Sequence, residues 1–196
     1  MPKRSLKPKD VIFKDYPDFK PNLTPEKIYR LGSFGGTYWR PIDSKITNES
    51  YKNAHLEFPD SWWEGLPDSW LVTEWKDYDK KINRYGVKVG TTLRFWERKN
   101  WITELDPYGW VQWYCRFYEG RRNKEEDVRQ IKRWKGVAGD NSRFRKYLVT
   151  LIQRKNGEWD DYSISPKIRQ TLQHWGYELT KEDFDKEVES RKNKKK

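Results

Sequence analysis

DPYGWVQWYCRFYEGRR, residues 106–122, decides the fold class. Trp110, Trp113, Tyr114 and Phe117 fall at i, i+3, i+4 and i+7, the stripe that a helix buries. Asp106 stands where an N-cap belongs, Pro107 at the first helical position and Gly120 at the stop. The spacing predicts a helix whose rings form a core spine. Tyr108, Gln112, Arg116 and Glu119 share a different face, and Arg121 and Arg122 follow at the helix end. Such a face stacks on bases and holds phosphates, or it is a solvated surface with Arg116 and Glu119 paired. Cys115 sits between core positions, where an inert thiol is expected.

Helical patterns continue on both sides. In NKEEDVRQIKRWKG, acids open the first turn and suit the helix dipole. Val128, Ile131, Trp134 or Lys135, and Ala138 mark its inner side, and Arg129, Lys132 and Arg133 its outer side. DNSRFRKYLVTLIQRKNG places Phe144, Tyr147, Leu148, Leu151 and Ile152 inside, with Arg143, Arg145, Lys146 and Arg154 outside. SISPKIRQTLQHWG reads as a helix capped by Ser165, with Pro166 at its start and Gly176 at its stop. Its outward residues are Lys167, Gln170 and His174, with Arg169 and Gln173 beside them. Upstream, Thr24, Pro25 and Gly32 frame a short helix, and TTLRFWERKNWI is a Thr-capped helix with Leu93, Trp96 and Ile102 inward.

Between the helices the chain is irregular and rich in Trp. GSFGGTYWRPI has three glycines in five positions but no P-loop lysine after them, which suggests a packing loop rather than a phosphate cradle. PDSW occurs at 59–62 and at 67–70, each reading as a turn that presents a Trp. A minor strand pair is expected near residues 37–42 and 85–89. The expected fold is mainly α, a single compact helical domain over 24–185. An extended basic arm (1–23) precedes it and a basic tail (186–196) follows.

Charged residues make up 36% of the chain, which is unusually polar for a folded domain. Twelve Trp and twelve Tyr reverse that reading, because each ring buries roughly 150–250 Å². One cysteine and two histidines leave no disulfide framework and no expected metal or cofactor site. No apolar run reaches membrane-spanning length, and MPKRSLKPKD has no apolar segment behind its charges. The expectation is an intracellular protein with no membrane partner. Nucleus, viral factory and virion all fit, and SRKNKKK reads as a nuclear address or a solvated end. The oligomeric state stays open.

The net charge of +11 is unevenly placed. Residues 43–79 hold nine acids against three bases, whereas residues 106–157 hold thirteen bases against six acids. Such a split points to a face tuned for polyanions.

DPYGWVQWYCRFYEGRR, RQIKRW and SPKIRQTLQHWGYELT, with LGSFGGTYWRPI upstream, resemble an uncharacterised Trp-rich family of large DNA viruses and some algae and fungi. The resemblance spans roughly residues 17–184. It brings no catalytic residues with it, and implies a standalone domain found where large DNA genomes are handled.

The leading expectation is therefore a nucleic-acid-binding domain, DNA ahead of RNA, gripping phosphates through a basic helical face. The residues assigned to it are Arg116, Arg121, Arg122, Arg129, Lys132, Arg133, Arg143, Lys146, Arg154, Lys167 and Arg169. One alternative is a carboxylate-based enzyme acting on nucleic acid or nucleobases, with Asp106, Glu119, Asp160 or Asp161 as the acid; no spacing singles out a pair. The other is a protein-interaction module in which the acidic segment 57–79 forms an aromatic cage from Trp62, Trp63, Trp70 and Trp75.

Overall fold

The computed structural model describes residues 11–193. Seven α-helices occur among them: α1 (Pro25–Arg30), α2 (Leu93–Arg98), α3 (Trp110–Tyr118), α4 (Lys124–Val137), α5 (Arg143–Arg154), α6 (Pro166–His174) and α7 (Lys181–Asn193). A two-stranded antiparallel sheet pairs β1 (Ile42–Asp43) with β2 (Ser50–Tyr51), in the register Ile42 to Tyr51 and Asp43 to Ser50. The protein is mainly α, as its periodicity predicts. No helix among the described residues is long and apolar enough to cross a membrane.

The spine is α3, of which only Arg116 and Tyr118 reach solvent appreciably. Trp113, Tyr114 and Phe117 are fully buried, and their polar atoms are satisfied in place. The Trp113 indole N–H donates to Asp127 Oδ1 at 2.9 Å, and the Tyr114 hydroxyl donates to the Leu23 carbonyl at 2.8 Å. Asp127 also accepts from the Asn123 N–H at 2.8 Å, while the Asn123 side chain caps α4. One carboxylate thus ties the spine to the start of the next helix.

Several expectations are corrected. Asp106 is not an N-cap; the helix begins at Trp110, after Gly109, and the Gln112 N–H of its first turn donates to the Tyr38 hydroxyl at 3.0 Å. Tyr108 and Gln112 are buried rather than outward, because the segment from Tyr38 to Tyr51 folds across them: the Tyr108 hydroxyl donates to the Arg40 carbonyl at 2.8 Å. The strand pair forms at 42–43 and 50–51, since Thr37–Arg40 is used as turn.

Residues 11–23 are part of the core. Phe19 is fully buried between Trp113, Tyr114, Phe117 and Trp134, with ring centroids 5.1–5.7 Å apart. Asn22 pairs with the backbone of Glu178 through two 2.8 Å bonds. The remainder of the expected arm, residues 1–10, lies outside the described residues. At the other end α7 stays helical to Asn193, with Phe184 and Val188 packed on the core. Arg191 donates to the Lys146 carbonyl at 2.7 Å and the Thr150 hydroxyl at 2.9 Å. Residues 186–193 are therefore a docked helix rather than a tail, and residues 194–196 lie outside the described range.

On α5 the buried stripe is Arg145, Leu148, Val149 and Ile152, and Phe144 and Tyr147 are exposed. Arg145 turns inward because Asp140 and Asp183 hold its guanidinium at 2.8 and 3.1 Å, over the ring of Tyr177. The helix is rotated by one position relative to its apolar pattern. Val128 on α4 is likewise exposed.

Candidate functional site

The irregular segments converge with four helices on a cavity of about 410 Å³, within the range of small-ligand sites, about 300–1,000 Å³. Trp75, Trp96, Trp101, Trp110 and Trp175 form much of its wall. No carboxylate and no thiol occurs among the lining residues, whereas Arg40, Arg133 and His174 do.

The two arginines are held by rings and carbonyls. Arg133 projects from α4 between Trp101 and Trp175, its guanidinium carbon 5.2 and 5.4 Å from their centroids. It donates to the Trp101 carbonyl and to Gln130 Oε1, both at 2.9 Å. Burial, and then the nearby Arg129, push its pKa down to about 10, so it remains cationic at neutral pH. Arg40 is nine-tenths buried, donates to the Thr37 carbonyl at 2.8 Å and lies 5.3 Å from the Trp75 centroid. Neither has an ion-pair partner among the described residues. Lys88 sits over Trp75 and Tyr78 at 5.0 and 4.6 Å. The site is thus aromatic and positive.

Local backbone chemistry builds the wall. Gly35 and Gly36 have φ values of 56° and 80°; a Cβ on Gly35 would lie 2.4 Å from the Tyr78 ring, and one on Gly36 2.0 Å from the Ser69 carbonyl. The glycine-rich loop therefore serves close packing. Phe34 also has positive φ, 58°, in a region that costs a bulky side chain about 1–3 kcal/mol. That conformation places its ring 3.9 Å from the His174 ring, stacked, and its N–H 3.1 Å from His174 Nε2. Gln170, Gln173 and His174 are all buried against this loop: Gln173 donates to the Gly32 carbonyl and to Ser33 Oγ, both at 2.8 Å. Their expected outward face is the docking face of α6.

The cations assigned from sequence separate into groups. Arg116 binds both oxygens of Glu57 at 2.6 Å, Asp106 at 3.1 Å and the Leu105 carbonyl. Arg121 clamps Asp106 through bonds of 2.8 and 2.7 Å. Arg122 pairs with Asp15 at 2.6 Å and stacks on Phe117, and Arg129 pairs with Glu126 at 2.6 Å. Arg169 is buried on the carbonyls of Ile164 and Trp159, both at 2.9 Å. Lys146 reaches Asn141 at 2.9 Å. Lys132, Arg143, Arg154 and Lys167 are exposed, without ion pairs among the described residues. Of the eleven, Arg133 alone lines the cavity.

The candidate carboxylates are not brought together. Asp106 is fully buried between two arginines, Glu119 and Asp160 are exposed, and Asp161 accepts from Ser163 at 2.6 Å. In the acidic Trp-rich segment, both PDSW motifs form 3₁₀ turns. Trp62 and Trp63 enter the core, Trp70 is half-buried, and Trp75 joins the cavity. Arg40, Lys88 and His174 carried no local signal toward this site, because the rings they meet there, Trp75, Tyr78 and Phe34, lie outside their own helical or strand period. No cluster of three or more metal-ligating side chains occurs among the described residues. Comparison with protein-family models, curated proteins and solved structures finds no match to this chain.

Proposed function

We propose that the protein binds nucleic acid by taking one unstacked nucleotide into the aromatic cavity. The observation that carries this reading is a ring-walled, acid-free cavity flanked by two guanidiniums without carboxylate partners. Aromatic faces stack on any base, at about 1–3 kcal/mol per base. Guanidiniums provide charge-assisted bonds to phosphate oxygens. The ligand class that answers both features is a flat ring carrying an anionic group.

The same features argue against the other readings. A cage for a methylated lysine needs a neutral or negative rim, and here Arg40 and Lys88 both stand near the ring of Trp75. Acid–base chemistry at the cavity lacks a carboxylate, and His174 is held neutral by burial.

The test is quenching of intrinsic Trp fluorescence by single-stranded DNA, single-stranded RNA, duplex DNA and polyglutamate at several salt concentrations. Single strands are expected to bind ahead of duplex, DNA ahead of RNA, and polyglutamate weakly. Arg133→Gln is expected to weaken strand binding at least tenfold with little change in melting temperature. Equal binding of all polyanions, or an unaltered Arg133→Gln, overturns the reading.

A further inference from the structure

We propose that His174 reads the ring entering the cavity, acting as a fixed hydrogen-bond donor through Nδ1. The preferred ring then presents an oxygen or ring-nitrogen acceptor toward α6. This inference rests on the nucleotide reading above and adds what the cavity selects.

The tautomer follows from the partners of Nε2. The Phe34 backbone N–H can only donate, and it points at Nε2 from 3.1 Å. The Gln170 side-chain nitrogen lies 3.0 Å from the same atom. Its amide orientation is fixed independently, since Gln170 Oε1 accepts from the Tyr85 N–H at 3.1 Å and its nitrogen donates to the Gly32 carbonyl at 3.3 Å. An Nε2 that accepts belongs to a neutral imidazole whose proton is on Nδ1. A second proton would set N–H against N–H, and burial already lowers the pKa to about 3.

Nδ1–H has no acceptor among the described residues, although His174 is 7% exposed and lines the cavity. A donor left unpaired at a cavity wall is one that water or a ligand in the cavity can satisfy. The strained backbone of Phe34 supports the same assignment. That residue supplies at once the N–H that fixes the tautomer and a ring that lines the cavity, and strain of this kind gathers at binding sites. Stacking by the walls accepts any flat ring; the donor adds discrimination by edge.

Two measurements test this. Long-range proton–nitrogen correlation spectra of the free protein are expected to show His174 as the Nδ1–H tautomer from neutral pH down to about 4, given its low pKa. An Nε2–H tautomer overturns the proposal without any ligand, and independently of whether a variant folds. The second uses strands of abasic residues carrying either one thymine or one difluorotoluene, which keeps thymine's shape but accepts hydrogen bonds poorly. The wild type is expected to prefer thymine by about tenfold, the worth of one hydrogen bond, and His174→Phe is expected to lose that preference. No preference in the wild type, or the same preference in His174→Phe, overturns the role of His174 and leaves the nucleotide reading standing. Failure of both strands to bind overturns the two together.

Discussion

The spine around α3 and the wall of the cavity use the same residue types in opposite ways. In the spine, rings meet rings: Phe19, Trp113, Phe117 and Trp134 close on one another. The arginines at its margin are paired with acids, Arg116 with Glu57 and Asp106, Arg121 with Asp106 and Arg122 with Asp15. In the cavity, Trp75, Trp96, Trp101 and Trp175 leave a space between them, and Arg40 and Arg133 have no carboxylate. A Trp/Arg-rich sequence is therefore not one signal. Where acids are supplied, it makes a core; where they are withheld, it makes a positive aromatic site.

The largest expected effect separates these two uses. Trp113→Ala removes a fully buried ring and takes the indole partner from Asp127 Oδ1. It should cost about 3–5 kcal/mol in chemical denaturation. Trp101→Ala removes a ring that is 39% exposed, touching Phe95 and Arg133. It should cost about 1 kcal/mol while weakening strand binding severalfold. Comparable losses of stability in both variants would make the cavity wall part of the core and end the distinction.

The spine was legible in sequence because it depends on spacing within one helix. Trp113 and Phe117 are buried where the period puts them, and Thr24 and Thr92 cap their helices through side-chain bonds, whereas Ser165, at a positive φ of 55°, makes no such bond. The helical wheel fails where a second layer covers the helix. Tyr108 and Gln112 look outward until Tyr38–Tyr51 folds over them, and Gln170, Gln173 and His174 until the glycine-rich loop docks. It fails again where charge overrides apolarity: Arg145 is drawn in by Asp140 and Asp183, and Phe144 is turned out. The Asp106–Pro107 pair has the local form of a helix start, yet the carboxylate's partners are Arg116 and Arg121, brought back only once α3 is complete. The cavity was hidden for a stronger reason. Its residues run from Phe34 to Trp175, and its arginines and His174 come from stretches far from the 89–111 segment that supplies much of the wall.

A smaller effect sharpens the chemistry of the cavity. The folded pKa of His174, about 3, lies below the ordinary 6.5, so between those values the unfolded chain binds a proton that the folded chain excludes. The stabilisation from a neutral His174 is complete above about pH 6.5. It is lost as pH falls from there toward 3, at up to about 1.4 kcal/mol per pH unit. Burial lowers His55 as well, so the wild-type slope contains both groups. Urea denaturation at pH values of about 7, 6 and 5 should show a shallower slope in His174→Gln than in the wild type. Identical slopes would mean that the ring protonates inside the fold, and that Nε2 is not held as the acceptor of the Phe34 N–H.

The smallest effect on stability falls on the cations that no carboxylate holds. Lys132, Arg143, Arg154 and Lys167 are exposed, and removing such groups changes stability by about 0.5 kcal/mol or less. Binding should respond differently. α5 carries no acidic residue, and exposed Phe144 and Tyr147 lie along the same helix as Arg143 and Arg154. A strand whose unstacked base enters the cavity has neighbouring phosphates to place, and these cations are free to meet them. Replacing all four with Ala should leave the melting temperature nearly unchanged. For every phosphate that the variant no longer neutralises, the log-salt slope of single-strand binding should flatten by about 0.7. An unchanged slope would confine recognition to Arg40 and Arg133, because charges that bind no phosphate release no counterions. The contrast would then lie wholly within the aromatic residues, with the basic surface acting only as solvated covering.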